Sequence, residues 1–110
     1  MIRALLLRWR TARRVHKIEG IVCRNMGLSR KELLLKTRRP KIAVARRMVY
    51  WLAGKFTGIS DKDISRRYGQ QRTSVDKGRR GIENIIATSD PHYSRIALEC
   101  LRQTKKKLQS

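Results

Sequence analysis

The sequence predicts an all-α protein, a multi-helix bundle that contains a helix-turn-helix. Apolar residues recur every three or four positions over most of the chain, which is the spacing of one helix face. Strand signals, such as a strict alternation of apolar and polar residues, are missing. Several of the helix-spaced segments begin with a serine, threonine or aspartate, the residues that cap a first helical turn.

The first predicted helix extends from about Ile2 to Met26, and Gly27 ends it. Ser29 and Glu32 have the spacing of a capping box, in which each side chain accepts a hydrogen bond from the other residue's backbone N–H. We expect this box to open a short second helix through the leucines at positions 33–35.

A third helix is predicted after the basic residues 36–41, in which Pro40 prevents the preceding helix from continuing. Its apolar residues lie three and four positions apart, so they form one buried stripe. The stripe consists of Ile42, Ala45, Met48, Val49, Leu52 and Phe56.

Two more helices are predicted around a tight turn at residues 69–72. Ser60 and Asp63 form a second capping box and begin a helix of about two turns, which Gly69 ends. Thr73 and Asp76 form a third box and begin a longer helix.

The last helix is predicted to start at Asp90 and Pro91, which suit the N-cap and the first helical position. The basic run 105–107 is expected to be a frayed end. We expect the chain to divide into a basic helical extension (1–15), a central helical domain (16–103) and a basic tail (104–110).

The composition predicts a folded domain that binds nucleic acid. The 110 residues suffice for one small core, and 40% of them are hydrophobic, more than a disordered basic tail would contain. Lysine and arginine number 28 against 8 acidic residues, a net charge of +20. Such a surface repels itself, and binding to a polyanion relieves the repulsion.

The same composition favours a duplex and disfavours other sites. Aromatic residues make up only 5% of the chain, which counts against folds that stack single-stranded bases on aromatic rings. Cys23 and Cys100 lie too far apart in sequence to indicate a zinc finger or a disulfide framework. No apolar run approaches the ~18 residues of a membrane span. We expect a soluble, cytoplasmic and nucleoid-associated protein.

Catalytic groups are also missing from the sequence. His16 and His92 are isolated, and there is no carboxylate pair, Ser/His/Asp group or Gly-rich phosphate loop. We therefore expect a protein that is not an enzyme and that has no cofactor, no metal and no small-molecule substrate.

A two-turn helix, a turn of about four residues and a longer helix with a basic start make a helix-turn-helix, which lowers its second helix into the major groove. The candidate base and phosphate contacts on the second helix are Arg72, Thr73, Ser74, Lys77 and Arg80. The alternative is a solvated face such as any basic helix can carry. Gly78 inside this helix predicts close packing of the two helices.

From residue 18 to 101 the sequence resembles the C-terminal DNA-binding domain, domain IV, of the bacterial replication initiator DnaA. The segments that carry the resemblance are VCRNMGLSRKELLLKTR, IAVARRMVYWL, SDKDISRRYG and QQRTSV, followed by GIE. Their order and spacings agree with the family, whose fold is a Trp repressor-like helix-turn-helix. The resemblance thus implies a DnaA domain IV-like protein that stands alone, without the initiator's ATPase.

The resemblance also implies roles for individual residues. Thr73 and Ser74 match two threonines that contact DNA, and Arg38 matches the basic-loop arginine that enters the minor groove. Arg46 and Arg47 match two residues that hold the DNA backbone. Lys77 replaces a histidine near the bases, and Lys62 replaces a proline at the start of the first motif helix. The full set of candidate DNA-binding residues is Arg38, Arg39, Lys41, Arg46, Arg47, Lys62, Arg72, Thr73, Ser74, Lys77 and Arg80.

The family's turn differs at two positions, where Gln71 and Arg72 stand in place of an aspartate and a histidine that help to read its DNA box. We therefore expect sequence-selective duplex binding at a site different from that box. The protein would regulate DNA replication or transcription, with double-stranded DNA and the replication initiator or another replication protein as partners.

Two other functions are compatible with the sequence. The scaffold could serve a non-specific architectural protein that binds DNA or RNA through its charge alone. The arginine-rich first helix, which carries Leu5 to Leu7 and Trp9, could instead bind a membrane surface or an adaptor.

Overall fold

The structure is a computed structural model that describes residues 2–88 and 90–109. Over these residues it is all-helical, which confirms the predicted fold class. The helices are α1 (Ile2–Met26), α2 (Arg30–Leu33), α3 (Pro40–Phe56), α4 (Asp61–Tyr68), α5 (Arg72–Ala87) and α6 (Tyr93–Gln109).

The four long helices, α1, α3, α5 and α6, form a bundle. Helices α3 and α6 pack against each other, and each also packs against α1 and α5, so α1 and α5 lie on opposite sides of the α3–α6 pair. The buried stripe predicted for α3 is confirmed, and Phe56 packs against the core from a half-buried position. The α3–α5 edge and the α1–α6 edge are consequently opposite edges of the bundle.

Two of the predicted helix starts are capped by their serines. Ser29 Oγ accepts a hydrogen bond from the Glu32 backbone N–H at 3.1 Å, and Glu32 Oε1 accepts one from the Ser29 N–H at 3.1 Å. At α4, Ser60 Oγ accepts from the Asp63 N–H at 3.1 Å. Helix α2 ends at Leu33, earlier than predicted, and leaves the next two leucines about half exposed.

The prediction of a third capping box, at Thr73 and Asp76, was wrong. Helix α5 begins at Arg72 with Gln71 as its N-cap, so Thr73 lies inside the first turn. Gly69 ends α4 in the left-handed conformation with a φ of 62°, which reverses the chain within three residues and starts α5 early. Asp76 pairs with Arg80 instead, at 2.7 Å.

The last helix begins and ends differently from the prediction. Asp90 Oδ1 accepts hydrogen bonds from the backbone N–H groups of His92 and Tyr93 at 3.1 and 3.0 Å, so it caps the helix as expected. Pro91 lies in a turn before α6 rather than at its first position. Residues 104–109 continue the helix, because Thr104 is fully buried and Leu108 packs against the core.

The proposed division into 1–15, 16–103 and 104–110 stays a prediction. Helix α1 runs unbroken across the first of these boundaries, and α6 runs across the second. The side chains at positions 2–10 are all exposed, and Val15 is the first buried residue of α1.

A buried carboxylate, Glu19, joins three helices. Its oxygens accept hydrogen bonds from Arg67 Nη2 at 2.7 Å, from Arg67 Nε at 3.0 Å and from the Tyr68 hydroxyl. Arg30 lies 3.5 Å from the same carboxylate. Burial alone would raise the pKa of Glu19, but the hydrogen bonds from Arg67 and Tyr68 hold it below 4.5. The carboxylate therefore stays charged and ties α1 to α2 and α4.

We expect Glu19→Gln to lower the free energy of unfolding by about 2 kcal/mol or more at neutral pH, because it leaves a partly buried arginine without its counter-charge. Urea unfolding followed by circular dichroism measures this change. Glu99→Gln is the matched control, since Glu99 pairs with Arg102 at the surface and should change stability little.

The free energy that Glu19 contributes to folding should decrease as the pH falls. Because the folded-state pKa of Glu19 is lowered, its stabilisation is complete above about pH 4.5 and is lost as the pH falls through the folded-state value. The stability difference between wild type and Glu19→Gln should therefore shrink in acid. A difference that is constant from pH 7 to pH 3 would contradict this role of the carboxylate.

Candidate nucleic-acid interface

Helices α4 and α5 and the turn between them form the predicted helix-turn-helix. Val75, Gly78 and Ile82 face the core from α5. The predicted contact residues of α5 all lie on its exposed side, namely Arg72, Thr73, Ser74, Lys77 and Arg80. The motif thus presents a basic, hydroxyl-rich helix start to solvent.

Helix α5 sits close to α3 at Gly78. A Cβ atom at this position would lie 2.9 Å from Cδ2 of Tyr50 and 3.0 Å from Cγ of Arg47, closer than side chains pack. Because Tyr50 is buried, it cannot move aside. The glycine is therefore required for close packing, but the partner is α3 and not α4, the other helix of the motif, for which the packing was predicted.

Arg79 fixes the orientation of α5 relative to two other helices. Its Nε donates to the backbone carbonyl of Tyr50 in α3 at 2.8 Å, and its Nη1 donates to the Asp61 carboxylate at the start of α4. A Cβ at Gly54 would lie 2.9 Å from that Nε, so the small residue makes room for the guanidinium. Further along α5, Glu83 accepts a hydrogen bond from Trp51 Nε1 at 2.8 Å.

An open cleft of about 660 Å³ lies between the loop before α3, α3 itself and α5. Five cationic side chains from these three parts of the chain line it: Lys36, Arg38, Arg46, Arg47 and Lys77. Ser74 and Gln70 lie beside them, and no described lining residue is acidic. The fold thus gathers one strongly positive concave surface from segments 40 residues apart in sequence.

Arg46 has a structural role that the sequence did not indicate. It is 8% exposed, and its Nη1 and Nη2 donate to the carbonyl oxygens of Leu35 and Thr37 at 2.8 and 2.5 Å. These bonds hold residues 35–37 against α3, and Arg38 follows directly. Arg47, one position along, is exposed. The two arginines were predicted to act alike, and the structure separates them.

The structure does not bring every predicted contact residue to the cleft. Six of them are exposed but do not line it: Arg39, Lys41, Lys62, Arg72, Thr73 and Arg80. Arg39 occupies the N-cap position of α3. Conversely, Lys36 and Gln70 line the cleft without having been predicted. The sequence held a weak signal for Lys36, which belongs to the basic run before Pro40.

Tyr50 forms part of the cleft wall. Burial raises the pKa of its hydroxyl, against the opposite effect of Arg46 and Arg47. The hydroxyl is therefore protonated at neutral pH, and the wall of the cleft carries no negative charge.

Other kinds of site are not found in the described part of the chain. Residues 2–88 and 90–109 contain no group of histidine, cysteine and carboxylate side chains that could hold a metal ion. Cys23 and Cys100 are buried free thiols. None of the described helices has both the length and the apolar composition that a membrane span needs.

Comparisons with known proteins agree with the geometry. The model of a family described as bacterial DnaA protein helix-turn-helix matches residues 15–82. The chain is similar to the chromosomal replication initiator protein DnaA of Oleidesulfovibrio alaskensis, with 29% identity over 70 residues. That match covers 64% of this chain and 15% of the length of the relative. No solved structure matches the chain.

Two glycines of α5 should respond to alanine with opposite signs. Gly78→Ala should destabilise the protein by about 1–3 kcal/mol, because the new methyl group overlaps Tyr50. At Gly81 the nearest outside atom lies 4.0 Å from the Cβ position, so Gly81→Ala should stabilise by up to about 1 kcal/mol through helix propensity. Thermal and urea unfolding of both variants check this. Equal changes would show that α5 does not pack on α3 at Gly78.

We expect Arg46→Met to loosen the loop before α3 while the rest of the bundle stays folded. The variant loses two charge-assisted hydrogen bonds, each worth about 1.5–3 kcal/mol, so amide exchange at residues 35–39 should accelerate at least about tenfold. Hydrogen–deuterium exchange with mass spectrometry measures it. Arg47→Met is the matched control, and the same acceleration in both variants would contradict the assigned role.

Proposed function

The chain belongs to the family of bacterial DnaA helix-turn-helix proteins, and from this premise we propose that it binds double-stranded DNA sequence-selectively through the basic cleft. The observation that carries the proposal is the convergence of Lys36, Arg38, Arg47 and Lys77 on one concave surface. A cleft of this kind, free of acidic lining residues among those described, suits the phosphate backbone of a duplex.

The helix-turn-helix supplies the docking geometry. The exposed start of α5 enters the major groove, as the second helix of such motifs does. The loop before α3 flanks it, so Arg38 reaches toward the neighbouring minor groove. Arg46 positions that loop through the carbonyl groups it binds rather than by contacting the duplex. The seating of α5 at Gly78 and Arg79 sets the angle at which the helix enters.

Positioning and base reading fall to different residues. Lys36, Arg38 and Arg47 contact phosphates, which fix register without reading sequence. Arg72 and Lys77 lie on the exposed face of α5 with Thr73, where they meet base edges. Arg72 offers a planar fork of donors that suits the O6 and N7 acceptors of guanine.

The preferred site differs from the box read by the DnaA family. Gln71 caps α5 through its backbone only, and no cap bond engages its side chain. Together with Arg72 it replaces the family's aspartate and histidine. The hydrogen-bond-accepting carboxylate of the aspartate is lost, and the hydrogen-bond-donating guanidinium of Arg72 is gained. Guanine-containing steps are therefore favoured at the start of the site.

We further propose a regulatory role in replication or transcription. The similar protein from Oleidesulfovibrio is a replication initiator, although the match covers only 15% of its length. A small duplex reader of the same family regulates by occupying or competing for sites near an origin or a promoter. The replication initiator or another replication protein is then a natural partner, and the protein is associated with the nucleoid.

A selection from randomised duplexes tests the proposal. Wild type should select a defined site that differs from the initiator box. Arg72→Ala should lose about 1–3 kcal/mol on that site and relax one base position, whereas Arg47→Ala should weaken all sequences nearly equally. These two variants are matched, since each removes one exposed arginine.

Three outcomes would contradict the proposal in different ways. No enriched site would favour the non-specific architectural function. Recovery of the initiator box by wild type would show that Gln71 and Arg72 do not alter the readout. An identical base profile for Arg72→Ala and wild type would show that Arg72 does not read bases.

A further inference from the structure

A second basic surface lies on the edge of the bundle opposite the cleft. It consists of a row of cations on α1, flanked by Arg102 and Lys106 of α6 across a shallow groove. The cleft lies on the α3–α5 edge and this groove on the α1–α6 edge, so the two surfaces belong to different sides of the bundle.

The cations of α1 form a straight stripe, which we name the α1 stripe. It contains Arg3, Arg10, Arg14, Lys17 and Arg24. At 3.6 residues per turn these positions fall within about 80° of arc, on a side away from Val15, Ile18 and Val22, while Ile21 lies in the same arc and is buried. The stripe is about 32 Å long at 1.5 Å per residue. This length approaches one turn of duplex DNA, about 34 Å.

The charge of the α1 stripe is not neutralised within the described residues. Its five cations form no ion pair there, and only Lys17 is half-buried while the other four are exposed. The nearby acidic residues are already engaged. Glu19 is buried against Arg67, and Glu99 is held by Arg102.

The character of the stripe favours a nucleic acid over a lipid bilayer. The exposed leucines of α1 and Trp9 all precede Arg10. Two apolar residues lie in the arc of the stripe: Leu6, which is 50% exposed and precedes Arg10, and Ile21, which is 1% exposed. From Arg10 onward the stripe therefore has no side chain to insert between lipids. A row of cations along one helix face suits the row of phosphates on a duplex.

We propose that the α1 stripe, with Lys106, binds the backbone of a second DNA duplex, so that one molecule bridges two DNA segments. This inference rests on the proposed function, because the first duplex is the one held in the cleft. The second duplex is bound without regard to sequence, since the stripe offers phosphate contacts alone.

A bridging assay tests the inference with the full chain. One duplex that carries the selected site is immobilised, and retention of a second, fluorescent duplex is measured at rising salt. The stripe variant carries Arg10→Ala, Arg14→Ala and Arg24→Ala. The control variant carries Lys31→Ala, Arg66→Ala and Arg95→Ala, which removes the same charge from exposed positions outside both surfaces.

Wild type and the control variant should retain the second duplex. The stripe variant should retain at least about tenfold less, and the slope of log retention against log salt should be shallower by about 2–3, one for each lost phosphate contact. Its selective binding to a single duplex should be unchanged, because the cleft is intact. Circular dichroism confirms that the variants are folded.

The assay distinguishes failure of the bridging inference from failure of the proposed function. Site-selective binding of one duplex without any bridge, or a bridge that survives in the stripe variant, would overturn the inference and leave the proposed function in place. Retention of phosphatidylglycerol vesicles in place of the second duplex would assign the stripe to a membrane and also overturn it. A stripe-dependent bridge without any site preference would support the inference and overturn the proposed function.

Discussion

Mutual repulsion among 28 lysine and arginine side chains is the constraint on which the rest of this structure depends. The apolar core must stabilise the bundle against this repulsion. The 8 acidic residues reduce the repulsion where they pair with cations. Most of them pair with an arginine or lysine, and Glu32 and Asp90 cap helices. Glu19 is the most buried of these carboxylates and joins three helices at once.

Some of the uncompensated cations gather at two edges of the bundle. At the α3–α5 edge they converge in a cleft, since the loop before α3 is held down by Arg46 and α5 is held close by Gly78 and Arg79. At the α1–α6 edge they form a straight row. The first arrangement suits insertion of a helix into a groove, and the second suits contact along a backbone. A polyanion at either edge relieves the repulsion that the core sustains.

Local chemistry in the sequence predicted most of the fold. Capping by Ser29 and Ser60 and the chain reversal at Gly69 each depend on one residue and its near neighbours, and all three are present. The close approach predicted at Gly78 is made to α3 instead of α4, because its partners Arg47 and Tyr50 are distant in sequence. The predicted box at Thr73 was wrong because the reversal at Gly69 consumes fewer residues than assumed, so α5 starts earlier. The general place of the cleft followed from the basic loop and the basic start of α5. The Glu19 cluster and the inward turn of Arg46 join residues distant in sequence, and no local pattern distinguishes Arg46 from Arg47.

The central claim is that the cleft exists to neutralise the backbone of a duplex, and the salt dependence of binding to one short duplex tests it most directly. If Lys36, Arg38 and Arg47 each neutralise a phosphate, log K against log salt should have a slope of about −3, at roughly 0.9 per phosphate. A slope shallower than about −2 would mean that fewer than three phosphates are engaged. The cleft would then not be the surface that binds the duplex.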